Sequence, residues 1–252
     1  MPSIAAPTAR TVPVLLGCIL CLSWTSPLLS DSTASERHIL HQDLRNLVQP
    51  RSLGLIALGV SGAALGHQWD DELRGTLSDA TPIQRLMDVG NTYGSTTYSL
   101  LATGGLWAVA TAADLRPLRP VASETLRSIL LANVLVTPLK FGVARDRPDA
   151  SNKLSFPSGH TANAFALTTV LARRYGWRLG LPLYTLAAFV PPARLEREKH
   201  YFSDVVGGAV LGTVAGLAVT RSTGNRNENG RRVMVVPRRA AGYTMVHATV
   251  SL

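Results

Sequence analysis

The sequence predicts an all-α protein, a helical bundle of about six apolar helices of transmembrane character. Three observations carry this. Hydrophobic residues make up 46% of the 252 residues and charged ones only 16%, against roughly 25% charged in an ordinary soluble domain. Apolar segments recur along the chain between short polar connections. Basic residues gather at the ends of those segments, as in membrane loops, and form no stripe with interleaved aromatics of the kind that grips nucleic acid. Mean hydropathy is only +0.15, because the apolar stretches are rich in Ala, Gly and Thr; composition alone leaves a soluble bundle open. The formal charge of +9 points to an anionic partner, an acidic lipid surface or a phosphorylated substrate.

The elements follow in order. Residues 1–30 read as a secretory signal peptide or an N-terminal apolar segment, with Arg10 before an apolar run over 12–24 and small polar residues after it. The chain's two cysteines, Cys18 and Cys21, sit inside that run with no second pair to complete a metal or redox site. Residues 31–51 form an amphipathic lead-in, with Ile39, Leu40, Leu44, Leu47 and Val48 on one helical face. The main domain is expected over 52–220, with apolar segments at 53–66, 93–113, 126–143, 161–172, 179–193 and 205–219. Several are shorter than the roughly 20 residues of a bilayer span. In the last, Gly208, Gly212 and Gly216 fall four apart, a stripe that admits close helix contact. The basic tail, 221–252, alternates loosely at Val233, Val235, Val246, Ala248 and Val250 and reads as a hairpin or as unstructured chain.

Charge supplies a topology. Arg116 and Arg119, then Arg173, Arg174 and Arg178, then the tail from Arg221 share one side. Asp70, Asp71 and Glu72, read as a solvated loop, lie opposite with the loops around 144–158 and 194–204. The excess of Arg on cytoplasmic loops then puts those two loops outside the cytoplasm. An exported N-terminus and a full set of six spans conflict with that placement: either 53–66 does not cross, or the N-terminal run is not exported.

Three constellations carry the chemistry: Lys140 with Arg147-Pro148, then Pro157-Ser158-Gly159-His160, then Arg194, His200 and Asp204. Taken singly, each has a plain reading, as interface anchors, a turn with a helix cap, and a structural i,i+4 pair. Together they describe a phosphoryl-transfer site. Lys140, Arg147 and Arg194 can converge on one small, highly charged anion, Arg through planar forks and Lys as a point charge. Ser158 stands near the start of a helix, where free amides bind anions and Gly159 lets the backbone approach. On a helix His200 and Asp204 would share a face, the carboxylate fixing the tautomer so that the other ring nitrogen can attack. His160 is left as proton donor to a departing alkoxide. Such a site needs no metal and no cofactor. His38, His41, His67 and His247 show no partner pattern and are expected at the surface or interface.

In this combination and order, K-x6-R-P, P-S-G-H and R-x5-H-x3-D, the chain resembles the type 2 phosphatidic acid phosphatase (PAP2) superfamily, which also takes in bacterial acid phosphatases and vanadium haloperoxidases. The resemblance covers roughly 52–220 and implies a PAP2-like bundle. It implies phosphate binding by Lys140, Arg147, Arg194 and the backbone around Ser158 and Gly159. His200 would be the nucleophile, held by Asp204, and His160 the acid. The family's third motif usually begins Ser-Arg; here Ala193 stands in that place and one hydroxyl is missing. The expected activity is metal-independent hydrolysis of a phosphate ester or diphosphate of a membrane lipid through a phosphohistidine, by a multi-pass cell-membrane protein with its site on the extracytoplasmic side. The alternatives are a soluble exported acid phosphatase and an idle membrane scaffold. Oligomeric state is left open.

Overall fold

The structure, a computed structural model, describes residues 30–77, 84–223, 232–240 and 243–251. The apolar run at 12–24 with its two cysteines lies outside them. The chain divides into two compact units, Met1–Leu40 and His41–Leu252. Of the first, what is described is the start of α1 (Ser30–Leu47). In the second, α2 (Pro50–Gly66) is followed by a short 3-10 turn and α3 (Asp70–Leu77), then α4 (Gln84–Gly94), α5 (Thr96–Ala112), α6 (Arg119–Val143), α7 (Gly159–Tyr175), α8 (Trp177–Ala188), α9 (Val190–Glu196) and α10 (Phe202–Thr223). The tail is a hairpin, β1 (Arg232–Ala240) antiparallel to β2 (Tyr243–Ser251), the first of the two readings its alternation allowed.

Local chemistry sets the helix limits. Pro50 and Pro120 stand in the first turns of α2 and α6, where a missing N–H costs nothing. The segment expected at 93–113 breaks at Ser95, which is extended (φ −61°, ψ 127°) and caps α5. That expected at 179–193 breaks at Phe189, because Pro191 and Pro192 cannot donate to the preceding turn and fit only in the first turn of a new helix, α9.

The Gly208–Gly212–Gly216 stripe presses α10 onto α7. A Cβ at Gly212 would stand 2.1 Å from the Ala162 carbonyl oxygen, and one at Gly208 2.4 Å from that of Ser158. On its other side α10 feeds Val210 against Gly59 and Phe202 against Gly66 of α2. The contacts run 59 to 210 and 66 to 202, so α2 and α10 are antiparallel. Asn133 to Asn163 and Glu124 to Arg174 show the same for α6 and α7. The core between them holds Ile129, Ala132, Val136, Ala162, Ala166, Leu211, Ala215 and Val219.

Around this apolar core, large apolar side chains also face outward, unlike in a water-soluble bundle. Leu58, Leu101, Phe141 and Leu181 are exposed, while Ser99, Thr103, Glu124, Thr125, Ser128 and Thr168 are buried. Glu124 accepts both prongs of Arg174, and Asp43 pairs with Arg127. Two described helices are long and apolar enough to cross a membrane, α6 and the Phe202–Arg221 part of α10. The helices α2, α5 and α7 have 17 residues each, about 25 Å, at the short end of a span.

With these directions, Arg51, Arg116, Arg119, Arg173, Arg178 and Arg221 fall at one end of the bundle. The ends of α2 and α6 and the starts of α7 and α10 fall at the other. Asp70, expected in a solvated loop, instead opens α3 and is buried at that second end. An acidic residue suits a helix start, and its carboxylate is taken up by Arg145 and Ser203.

Candidate active site

The site forms where α6 ends and α7 and α10 begin. Ala144 is left-handed (φ 48°) and closes α6 with its N–H on the Lys140 carbonyl. The following loop folds back over residues 197–201. The Asp149 N–H donates to the Glu198 carbonyl at 3.1 Å, and Lys199 pairs with the Asp149 carboxylate. That pairing, backed by Ser151, holds the Asp149 carboxyl well below its usual range.

The three expected phosphate ligands come together here. The Lys140 Nζ donates to the Leu154 carbonyl at 2.7 Å, and its stem passes 3.9 Å from where a Cβ on Gly159 would stand. Arg194 is buried, and burial and the nearby Arg147 and Arg197 bring its pKa down to about 10. Arg147 is lowered by burial, with Asp149 and Asp204 opposing. Among the described residues, the Nε of each of these arginines is buried without a protein acceptor. His160 interacts electrostatically with Arg194, His200, Arg147 and Lys140. The basic residues of all three motifs therefore surround the start of α7.

Ser158 caps α7, its Oγ accepting from the Thr161 N–H and hydroxyl. Its own N–H is occupied by the Asp204 carbonyl at 2.9 Å. The amides that helix geometry leaves without intrahelical partners are therefore those of Gly159 and His160. Ala193 is fully buried beside Arg194 and supplies no hydroxyl.

His200 departs from expectation. It lies in the loop before α10 and not on the helix, so i,i+4 spacing does not bring it into hydrogen bond with Asp204. Its Nδ1 is 3.7 Å from Asp204 Oδ2 and 2.7 Å from the Ser155 carbonyl oxygen. A carbonyl only accepts, so Nδ1 carries the proton and Nε2 keeps its lone pair. The tautomer expected from Asp204 is thus set by a backbone oxygen, and Asp204 acts on the ring through charge. Burial, against the opposing pull of Asp204 and with repulsion from Lys140 and Arg194, brings the His200 pKa to about 4. The ring is neutral at pH 7.

Three further residues complete the arrangement. The Ser155 hydroxyl donates to Asp204 Oδ2, which also takes the Tyr201 N–H at 2.8 Å. Arg145 donates to Asp204 Oδ1 at 2.8 Å. Asn91 on α4 accepts from Arg194. Arg145 lay inside the first motif as an unassigned third cation. Asn91 is 103 residues from its partner, and no local pattern pointed to it. His67, expected to lack a partner, bonds Asp70 at 2.7 Å.

Residues 123–228 match the family model of the PAP2 superfamily. A lipid A 1-phosphatase of Porphyromonas gingivalis is 39% identical over 85 residues, 32% of this chain and 19% of that protein. A lipid A 4'-phosphatase of Helicobacter pylori is 31% identical over 65 residues, 26% of this chain and 33% of that protein. The chain thus matches a third or less of these relatives' lengths. Among solved structures, Aquifex aeolicus LpxE is similar with a TM-score of 0.49 and 23% identity, covering 60% of this chain and 94% of that one. The first transmembrane PAP2 type phosphatidylglycerolphosphate phosphatase from Bacillus subtilis is similar with a TM-score of 0.47 and 18% identity, covering 75% and 94%.

Proposed function

We propose that this chain, whose residues 123–228 match the PAP2 superfamily model, is a membrane phosphatase that cleaves a lipid phosphate through a phosphohistidine and without a metal. The observation that carries the reading is His200: buried, neutral, with Nδ1–H on the Ser155 carbonyl and Nε2 free, in a ring that feels the charges of Lys140 and Arg194. The Nε2 lone pair forms a bond to phosphorus while the bond to the lipid oxygen breaks. As the phosphate's negative charge enters among the cations, His160 takes up a proton from solvent and gives it to that leaving oxygen. Lys140, Arg147, Arg194 and the amides of Gly159 and His160 hold the charge that gathers on the phosphoryl oxygens, the role a metal fills elsewhere. Asp204 stabilises the positive charge His200 acquires. A water then attacks phosphorus, giving a proton to His160, and the nitrogen–phosphorus bond breaks to release inorganic phosphate.

The exposed leucines and valines of α2, α5, α6 and α8 support a membrane setting over the soluble acid phosphatase. The arginines at the end opposite the site support an extracytoplasmic site. The two relatives, a lipid A 1-phosphatase and a lipid A 4'-phosphatase, make a phosphorylated lipid A the first substrate to try, with phosphatidate, phosphatidylglycerophosphate and isoprenoid diphosphates beside it.

The test is phosphate release from these lipids and from soluble phosphomonoesters by detergent-purified protein in EDTA, with His200→Ala as control. We expect lipid turnover unaffected by chelation and reduced at least about a thousandfold in the variant, the scale seen when a nucleophile is removed. Inhibition by EDTA that added metal reverses would contradict the metal-free mechanism. Turnover confined to soluble esters would move the reading to an acid phosphatase.

A further inference from the structure

We propose that Asp70 and Arg145 form a positioning pair for the nucleophile, Arg145 orienting the Asp204 carboxylate and Asp70 preserving its negative charge. This rests on the reading of His200 and Asp204 given above. Arg145 lies inside the first motif but has no role in it, and Asp70 lies outside both the motifs and the matched region 123–228.

Arg145 reaches two helices at once, α3 and α10. One nitrogen donates to Asp204 Oδ1 at 2.8 Å and to the Ser203 hydroxyl at 2.6 Å; the other donates to Asp70 Oδ2 at 2.7 Å. The guanidinium also lies 4.0 Å from the centre of the Tyr201 ring. By taking Oδ1, it leaves Oδ2 for the Ser155 hydroxyl and Tyr201 amide and turned toward His200. Because the Ser155 carbonyl is what holds the His200 proton, the carboxylate and the imidazole are positioned by one residue, Ser155. Rotation of Asp204 would disturb both.

A guanidinium this close to Asp204 cancels the charge that His200 needs when it becomes positive. Asp70 restores it: two carboxylates and one guanidinium leave a net of one negative charge while the His67 ring on Asp70 is uncharged. Asp70 is itself almost fully buried, and its other oxygen accepts the Ser203 N–H at 2.9 Å, which anchors it to the first turn of α10. Burial of these charges is tolerable only because each is paired.

The test uses the full chain in detergent, with lipid A and short-chain phosphatidate as probes. The proteins are wild type, His200→Ala, Asp70→Asn, Arg145→Lys, Arg145→Met and the double variant Asp70→Asn/Arg145→Met. We expect Asp70→Asn, which keeps the shape, to lower kcat about ten- to a hundredfold, the range for residues that orient a directly reacting group. KM should stay within about threefold of wild type, since the phosphate ligands are untouched. Arg145→Met should lose at least as much, Arg145→Lys less, and the double variant no more than Arg145→Met. Should Asp70→Asn not fold, Arg145→Lys is judged by the same kcat criterion on protein with a wild-type unfolding midpoint. A wild-type kcat in the deciding variant while His200→Ala is dead overturns the pair and leaves the proposed function standing. So does a change in KM alone, or full additivity in the double variant. An inactive wild type, or an active His200→Ala, overturns the proposed function and the pair with it.

Discussion

At the scale of single residues, the site's chemistry rests on where one proton sits. The Ser155 carbonyl at 2.7 Å requires Nδ1–H on His200, while burial, with repulsion from Lys140 and Arg194, brings the ring's pKa to about 4. Because the folded value is depressed, the unfolded chain binds the extra proton first. Folded stability from this group is therefore full above the ordinary histidine value of about 6.5 and is lost as pH falls toward about 4. The unfolding midpoint of wild type should drop more between pH 7 and pH 4.5 than that of His200→Gln, which has no proton to gain. Parallel declines would mean that His200 takes up its proton as readily in the fold as in the unfolded chain. In the sequence, the types and spacing of Lys140, Arg147, His160, Arg194 and His200 were legible, because each motif is a short local pattern. The partner of Nδ1 was not, since His200 lies in a loop whose path depends on contacts 45 residues away.

At the scale of elements, glycine spacing decides how closely the central helices approach. At Gly212 a Cβ would meet a backbone oxygen at 2.1 Å, and a backbone cannot swing aside as a flexible side chain can. Gly212→Ala should therefore destabilise by about 1–3 kcal/mol, the usual cost of overpacking, read as a lower midpoint of thermal unfolding in detergent. Gly105, on α5, has nothing within 4 Å of its would-be Cβ. Gly105→Ala should hold or raise the midpoint, by up to about 1 kcal/mol from backbone entropy. Equal midpoints for the two variants would mean that α7 and α10 are not in this contact. The helix breaks at Ser95 and Phe189 were less legible, because apolar character continues across both and only the caps and prolines interrupt the backbone.

At the scale of the whole molecule, charge and hydrophobicity are sorted along and around the bundle. Apolar side chains face outward; Arg51, Arg116, Arg119, Arg173, Arg178 and Arg221 lie at one end, and the candidate site, with its own Lys140, Arg145, Arg147 and Arg194, lies at the other. The conflict between an exported N-terminus and the placement of the site narrows accordingly. Because α2 and α10 are antiparallel along their length, α2 carries the chain from the basic end to the site end. On the proposed orientation, Pro50 then starts on the cytoplasmic side. In intact cells carrying Cys18→Ser and Cys21→Ser, a membrane-impermeant thiol reagent should label Ser151→Cys and leave Arg116→Cys unlabelled until the membrane is opened. The reverse pattern would place the site in the cytoplasm.

The sequence by itself determined the helical class, the cluster of arginines at one end and the residue types of the candidate site. Those properties reside in periodicity and in spacings of a few residues, which backbone geometry converts directly into faces and ends. Only the tertiary structure decided that Asp204 is held by Ser155, Tyr201 and Arg145, that Arg194 rests on Asn91, and that Asp70 is a buried partner rather than a solvated loop. Arg145 and Asp70 are 75 residues apart. A pairing at that separation follows from how tightly α2, α7 and α10 pack, and the spacing of charges along the chain does not contain it.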